Sequence, residues 1–566
     1  MARKRKNSSK PGILFSFHNA LIRVVVLLCM LAANMQVFAQ KKTDTSDKVT
    51  IKILNDIVGI GVQTDSGRLQ KLIGNVQIRQ GETMLYADSV YQDSKNNLEC
   101  FGNVRIIQPG TTVSGDYARY LSTPKLAYIK GKVSMLSGRS NLQTEELTYD
   151  VGTKLGTYEN GGGALQDSNT TVTSKTGAYN GKSKDARFIG DVVVTDPVYH
   201  ITSKDLGYNT ESKLVTYFDS SITTSDKSIL NAKNGTYDSK KGVAHFIQRA
   251  SVFDDGEYIE ADTLDYDRTI GFGEGRSNVI TIDTTQHVTM VCGHVKYYKY
   301  KRLLLALVKP VMKQVNGKDS IFIRADTFRS APISKPGDSI KKKTSEVKNL
   351  KKMTVKGKKK MITETAIADT TAADSTSPRY FIGYHHVLIY SDSLQGICDS
   401  ISYTQNDSTM RMIGSPVAWS RQSQITGDTI ILRMDSGKLK NIFVPNNAAV
   451  ISQSGPDKAK MYDQVQGKTL FGIFKKNELN EMIVRPNAEC IYYSKDDSGA
   501  YIGVNQAQSE RMRIFFADRN LSRIVFEQDV HQTLTPLQQA NIPTLKLSRF
   551  KWLADKRPKS RAELFK

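Results

Sequence analysis

Apolar residues recur two apart after a glycine in four stretches of this chain: "GNVQI" (74–78), "GNVRI" (102–106), "GKVSM" (131–135) and "GDVVV" (190–194). A spacing of two puts the valine and the next apolar residue on one face of a β-strand. The leading glycine marks a bend or bulge. A second extended segment, such as "LQTEELTYD" (142–150) or "ITSKDLGYN" (201–209), ends on a tyrosine. Tyr91, Tyr120, Tyr149, Tyr179, Tyr208, Tyr237 and Tyr266 follow one another at 29, 29, 30, 29, 29 and 29 residues. Turn chemistry follows most of them ("YQDSKNN", "YNGKSK", "YNTESK"), because Asp and Asn bond the local backbone and tolerate left-handed geometry. Each unit of about 29 residues therefore reads as two strands joined by tight turns, and the units stack. The pattern predicts an all-β chain, an elongated antiparallel β-jellyroll built of two-strand repeats with strands folded into two facing sheets.

The pattern divides the chain. Residues 1–39 read as a signal peptide: Arg3, Lys4, Arg5, Lys6 and Lys10 precede the apolar run "VVVLLCMLAA" (24–33), and "VFAQ" (37–40) offers a cleavage site after Ala39. Residues 40–334 hold the first repeat region. A Lys/Ser/Thr-rich stretch, 335–378, reads as a disordered insertion, with ten lysines and one acid in 341–360. A second repeat region spans 379–544, where "CDSISY" (398–403) stands for "ADSVY" (87–91), and 545–566 forms a basic tail with Phe550 and Trp552.

The formal net charge of +23 points to an acidic partner, and the signal peptide makes nucleic acid the least suitable one. Cys100, Cys292, Cys398 and Cys490 match no zinc or redox spacing; they read as single buried thiols, with one or two long-range disulfides in an oxidising compartment as the alternative. No catalytic constellation is present. "GKS" (181–183) and "GKT" (467–469) lack the earlier glycine of a phosphate loop, since Thr176 and Tyr462 stand there. His385–His386 and Cys292–His294 lack further ligands at metal spacing. The expectation is a protein that is not an enzyme and takes no cofactor or metal. Asp88, Asp262 and Asp326, in the repeated "ADS" and "ADT", are expected to face outward or to bond the next strand, and the recurring tyrosines to be structural.

A β-repeat of about 29 residues with "GNV" strands and Ala-Asp-Ser/Thr strands behind a secretory signal resembles the OstA-like family, the periplasmic lipopolysaccharide-transport proteins related to LptA and to the N-terminal domain of LptD. "GNVQIRQGETMLYADSVYQD" (74–93) is the most typical stretch. The resemblance implies a jellyroll whose apolar interior carries the acyl chains of lipid A, with its phosphates met by Lys and Arg. It also implies edge strands that pair with other lipopolysaccharide-transport jellyrolls, and delivery to an outer-membrane translocon. The chain is longer than a single transport jellyroll, and its last 190 residues lack the pattern of a membrane barrel. The lipid-lining candidates are Val76, Ile78, Val104, Ile106, Val133, Met135, Val192 and Val194. Sequence shows that they share a face, and leaves open whether they line a lipid-filled trough or fill a closed core. Two other readings stand beside this one: a secreted structural β-array binding glycans or proteins, and an assembly partner of an outer-membrane barrel.

Overall fold

The structure, a computed structural model, describes residues 52–333 and 377–566 apart from 55–56, 65–66, 226–227, 255, 317–318, 436–437, 476–477 and 518–519. Residues 1–39, expected to be a signal peptide, and all but the last two residues of the lysine-rich insertion lie outside the described residues. Those described form antiparallel strands with a few short 3-10 turns, and no helix among them is long and apolar enough to cross a membrane. The chain divides into two compact units at Leu126/Ala127. In the first unit, Val58–Thr64, Gly67–Gln80, Thr83–Gln92, Leu98–Gln108 and Thr111–Leu121 pair in sequence order.

In the second unit each long strand belongs to two sheets. Asp185–Thr195 shows how. Its first half pairs with Thr176–Asn180 and its second half with Thr170–Ser174, while its other neighbour, His200–Asn209, skips register between Ile189 and Val192. The skipped residues are Gly190 and Asp191, both left-handed (φ 77° and 46°). A two-residue bulge of this kind turns the strand and carries it from one sheet into the other. It recurs as Gly74–Asn75, Gly102–Asn103, Gly131–Lys132, Ser277–Asn278, His385–His386 and Gly414–Ser415. Residues with a Cβ resist positive φ, so the corner needs holding. The repeated aspartate does this. Asp88 accepts from Asn103 Nδ2 at 2.9 Å, and Asp262 from Asn278 Nδ2 at 2.6 Å. Asp326 pairs with His386 Nδ1 at 2.7 Å. The expectation that these aspartates bond the next strand is met, and the atom they bond is the corner itself.

The bends generate two facing sheets, called here the valine sheet and the tyrosine sheet after the residues that recur in each. Their inner faces share one hydrophobic core, to which Ile323, Val387 and Ile389 come from the valine sheet and Phe328, Ile401 and Met412 from the tyrosine sheet. The strands on either side of the insertion are direct neighbours. Thr327–Pro332 pairs with Arg379–Tyr384, Pro332 opposite Arg379, and Ile333 N–H donates to the Pro378 carbonyl at 2.8 Å. The insertion therefore occupies one hairpin turn of the tyrosine sheet, and the two repeat regions meet across it as adjacent strands.

The basic tail is ordered across the outer face of the valine sheet. Three buried glutamines hold its backbone. Gln464 donates to Leu545 O and accepts from Leu547 N, both at 2.8 Å. Gln466 accepts from Arg549 N at 3.0 Å. Gln424 donates to Lys551 O and accepts from Leu553 N. Arg557 then bonds Gln395, and Tyr462 stacks between Phe550 and Trp552. A carboxamide presents donors and an acceptor, as a backbone amide does, so Gln464 and Gln424 read the tail's backbone, while Gln466 Nε2 also donates to Ser548 Oγ at 2.9 Å.

Candidate functional site

All eight lining candidates lie inside. Val76, Val104, Val133, Met135, Val192 and Val194 are buried, as are Ile78 and Ile106. In the first unit Ile78 and Ile106, with Leu85, Leu98 and Tyr120, surround a gap of only about 10 Å³, room for at most one water. In the second unit, residues 149–246 hold Tyr149, Tyr158, Tyr179, Tyr217, Phe188 and Phe246, all fully buried. Tyr158 OH meets Ser174 Oγ at 2.6 Å, Tyr208 OH donates to Asp167 at 2.8 Å, and Tyr217 packs edge-on against Phe246. Val192 and Val194 therefore face aromatic rings that fill the space between the sheets.

The interior opens further along. Between Glu257 and Met410 the two sheets enclose a cavity of about 130 Å³. Its floor is Ile259, Val288, Met290, Leu304, Met312, Ile323, Phe328, Phe381, Ile401 and Met410. None of the eight candidates lines it. The signal that marked them, Gly-x-Val-x-apolar, selects strands beside a glycine corner. The cavity strands have other corners (Ser277–Asn278, His385–His386) and add methionines to the rings of Phe328 and Phe381. Met290 and Met312 on the inner face of the valine sheet and Met410 on that of the tyrosine sheet meet here, and thioethers suit a surface that must adapt to its contents.

The polar lining residues sit at strand ends. Glu257 and Asp283 belong to turns of the valine sheet, whereas Arg379, Tyr403 and Gln405 belong to turns of the tyrosine sheet. These two rows of turns form the rims of the trough, and side chains join them along its length. Lys184 Nζ donates to Ser137 Oγ at 2.6 Å, Lys213 pairs with the buried Asp167, and Lys299 pairs with Asp254. Over the cavity the link is weaker: Gln405 Nε2 to Gln286 Oε1 at 3.3 Å.

Two charged groups are half-buried at this mouth. Burial pushes the Glu257 carboxyl above the usual carboxylate range, against a hydrogen bond from Tyr297. Burial also holds the Arg379 guanidinium below its ordinary value. Arg379 is fixed by Nη2 to Arg302 O at 2.9 Å and by Nε to Ser330 Oγ at 3.3 Å, the Glu257 and Asp283 carboxylates act on its charge, and Nη1 is covered with no hydrogen-bond partner among the described residues. The cysteines are free and buried; burial pushes Cys292 up to about 11 and Cys100, Cys398 and Cys490 up to about 12. No group of three or more His, Cys, Asp or Glu among the described residues is placed to hold a metal ion.

Bent antiparallel strands around an apolar interior with polar rims define an elongated β-jellyroll. Residues 47–204 match the family model described as OstA-like protein, and the chain carries an OstA-like domain there, as its repeat predicts. Among solved structures, LptH of Pseudomonas aeruginosa, the LptA-homologous periplasmic component of a lipopolysaccharide transport device, is 14% identical; the match covers 25% of this chain and 95% of that one, with a TM-score of 0.20. No curated protein matches the chain.

Proposed function

We propose that this protein is a periplasmic component of lipopolysaccharide transport that holds lipid acyl chains between its two sheets on the way to the outer membrane. One observation carries the reading: an apolar cavity of about 130 Å³, floored by methionines and other apolar residues and rimmed by polar ones, in a bent-strand array whose stretch from Tyr149 to Phe246 is filled by buried rings. Each CH₂ moved from water into such a space gains about 0.8 kcal/mol, so a chain of a dozen carbons has ample reason to enter. The OstA-like match at 47–204 supports this reading. Partners in this reading are lipopolysaccharide, other jellyrolls of the transport chain paired through edge strands, and an outer-membrane translocon.

The test is photo-crosslinking in cells. Photoreactive residues at Met312 and Ile323 are expected to capture lipopolysaccharide, and probes on the outer face at Lys130 or Arg187 are not. Equal labelling at both sets, or none, removes the proposal. Depletion is expected to leave lipopolysaccharide at the inner membrane.

A further inference from the structure

One strand of the first unit is amphipathic the wrong way round. Val58–Thr64 reads "VGIGVQT", and its Gly59 sits opposite Leu72, which is buried. A strand alternates its faces, so the glycines take the inner face and Val58, Ile60 and Val62 the outer one. These three are 63%, 46% and 42% exposed. The apolar surface continues in register across the neighbouring strands. Val58 lies beside Ile73, then Ser89, Phe101 and Tyr117; Ile60 lies beside Lys71, then Tyr91, Glu99 and Arg119. Ile73 and Phe101 are exposed as well. The rings of Tyr91, Phe101 and Tyr117 pack on one another in turn, with centroids 5.3 Å apart in both pairs, and Lys71 Nζ stands 5.1 Å from the Tyr91 centroid. In the second unit the outer face of the tyrosine sheet carries ion pairs, Lys130–Glu146, Arg187–Asp205 and His245–Asp265. A contiguous exposed apolar face marks an interaction surface.

Three observations choose what covers it. Residues 40–51, which precede the strand, carry only Val49 and Ile51 as apolar residues, too few for the task. The charge that would draw an acidic partner or an anionic bilayer lies elsewhere: the chain has a formal net charge of +23, whereas residues 52–126 hold eight Lys and Arg against seven Asp and Glu. The charged groups on the face itself are of both signs, Lys71 and Arg119 on either side of Glu99. We propose that a second copy of this chain covers the face, two first units packing sheet on sheet about a two-fold axis that runs along Ser89–Tyr91. Such an axis sets the strands of one copy against those of the other in reverse order. Lys71 then meets Glu99 of the second copy, Ile73 meets Phe101, Val58 meets Tyr117, and Ile60 meets the aliphatic stem of Arg119. Ser89 and Tyr91 meet their own counterparts. Five strands about 4.8 Å apart, with three rows of side chains, give a face of about 24 by 20 Å, so the pair buries about 1,000 Å², the lower bound for a specific interface. The dimer is therefore reversible, in the micromolar range. It is independent of the cavity, and either reading can fail while the other stands.

Sedimentation equilibrium of the full chain over a concentration series tests this. Wild type is expected to pass reversibly from monomer to dimer. Ile73→Glu, at an exposed position, is expected to weaken the dimer at least tenfold. Lys71→Glu sets like charges against each other and is expected to do the same, while Lys71→Glu combined with Glu99→Lys returns the affinity to within about threefold of wild type. Two Ser89→Cys chains are expected to be joined by a short bismaleimide, and two Thr173→Cys chains, altered at an exposed position of the valine sheet, are not. Thermal melts of each variant show that the fold is kept. A monomer at every concentration overturns the proposal, as does equal cross-linking at both positions. A dimer untouched by Ile73→Glu and not cross-linked at Ser89→Cys overturns it too. That is how pairing through backbone edges behaves, since Ser89 lies two strands in from Val58–Thr64. The last arm is flotation with vesicles of phosphatidylethanolamine and phosphatidylglycerol. A monomer that floats with them, and no longer does so as Ile73→Glu, assigns the face to a lipid surface and overturns the dimer.

Discussion

Two stretches of the second unit share one architecture and differ in what fills it. From Tyr149 to Phe246 the space between the sheets holds tyrosine and phenylalanine rings whose hydroxyls end on Ser174, Asp167 and Thr223. From Glu257 to Met410 it holds methionines, isoleucines and a cavity. The backbone grammar is the same in both: a strand, a left-handed corner, a second half-strand in the other sheet. The lesson is that the corners set the spacing of the sheets, and the side chains decide whether that spacing becomes core or container. The rims follow suit. Charged pairs, Lys213–Asp167 and Lys299–Asp254, close the packed stretch and its boundary, whereas two neutral amides span the mouth of the cavity.

The sharpest way to break this comparison is to remove filling from each stretch. Phe246→Ala in the packed stretch is expected to destabilise by about 3–5 kcal/mol, because a ring is lost and rigid neighbours cannot collapse. Met312→Ala beside the cavity is expected to cost about 2 kcal/mol, the low end for a buried methionine, since one side of it already lacks packing partners. Denaturant midpoints of the two variants check this, and equal losses would mean that the cavity is as tightly constrained as the core. Next comes the corner they share. In Gly414→Ala the new Cβ would stand 2.6 Å from Asp399 Cβ, on a residue with φ 81°, and a cost of about 1–3 kcal/mol is expected by the same measurement.

A third change acts on uptake rather than stability. Cysteines at Gln286 and Gln405, joined by a short bismaleimide, are expected to slow parinarate entry at least tenfold, while the same bridge at Ser137 and Lys184, over the packed stretch, leaves entry unchanged. The native thiols, buried and poorly ionised, are expected to stay unmodified in the folded chain, which mass spectrometry verifies. Entry at the same rate through a bridged mouth would show that lipid comes in elsewhere. The smallest effect is expected at the corner His386. Asp326 raises its pKa above the ordinary histidine value. A raised folded pKa gives stability that is fully present below the unfolded value and is lost as pH rises through the folded one. His386→Gln is therefore expected to lower the melting temperature slightly at pH 5.5 and not at pH 8.5, and an equal shift at both would assign the histidine a purely steric role.

The chain by itself determined the repeat, the alternation of buried and exposed positions, the glycine corners and the burial of Val76, Ile78, Val104, Ile106, Val133, Met135, Val192 and Val194. Each of these is written within a few residues, in a period of two, a turn dipeptide or a recurring tyrosine. It also marked Asp88, Asp262 and Asp326 by repetition, though not the left-handed Asn and His atoms they hold, which come from the next strand. Only the tertiary structure decided where the interior is hollow and that the basic tail lies clasped by Gln424, Gln464 and Gln466. The physical reason is distance along the chain. The cavity joins residues from Glu257 to Met410, and the clasp joins glutamines to backbone more than 80 residues away. Strand periodicity says which face a side chain takes; it is silent on how much volume the opposite face supplies, and a cavity is that difference in volume.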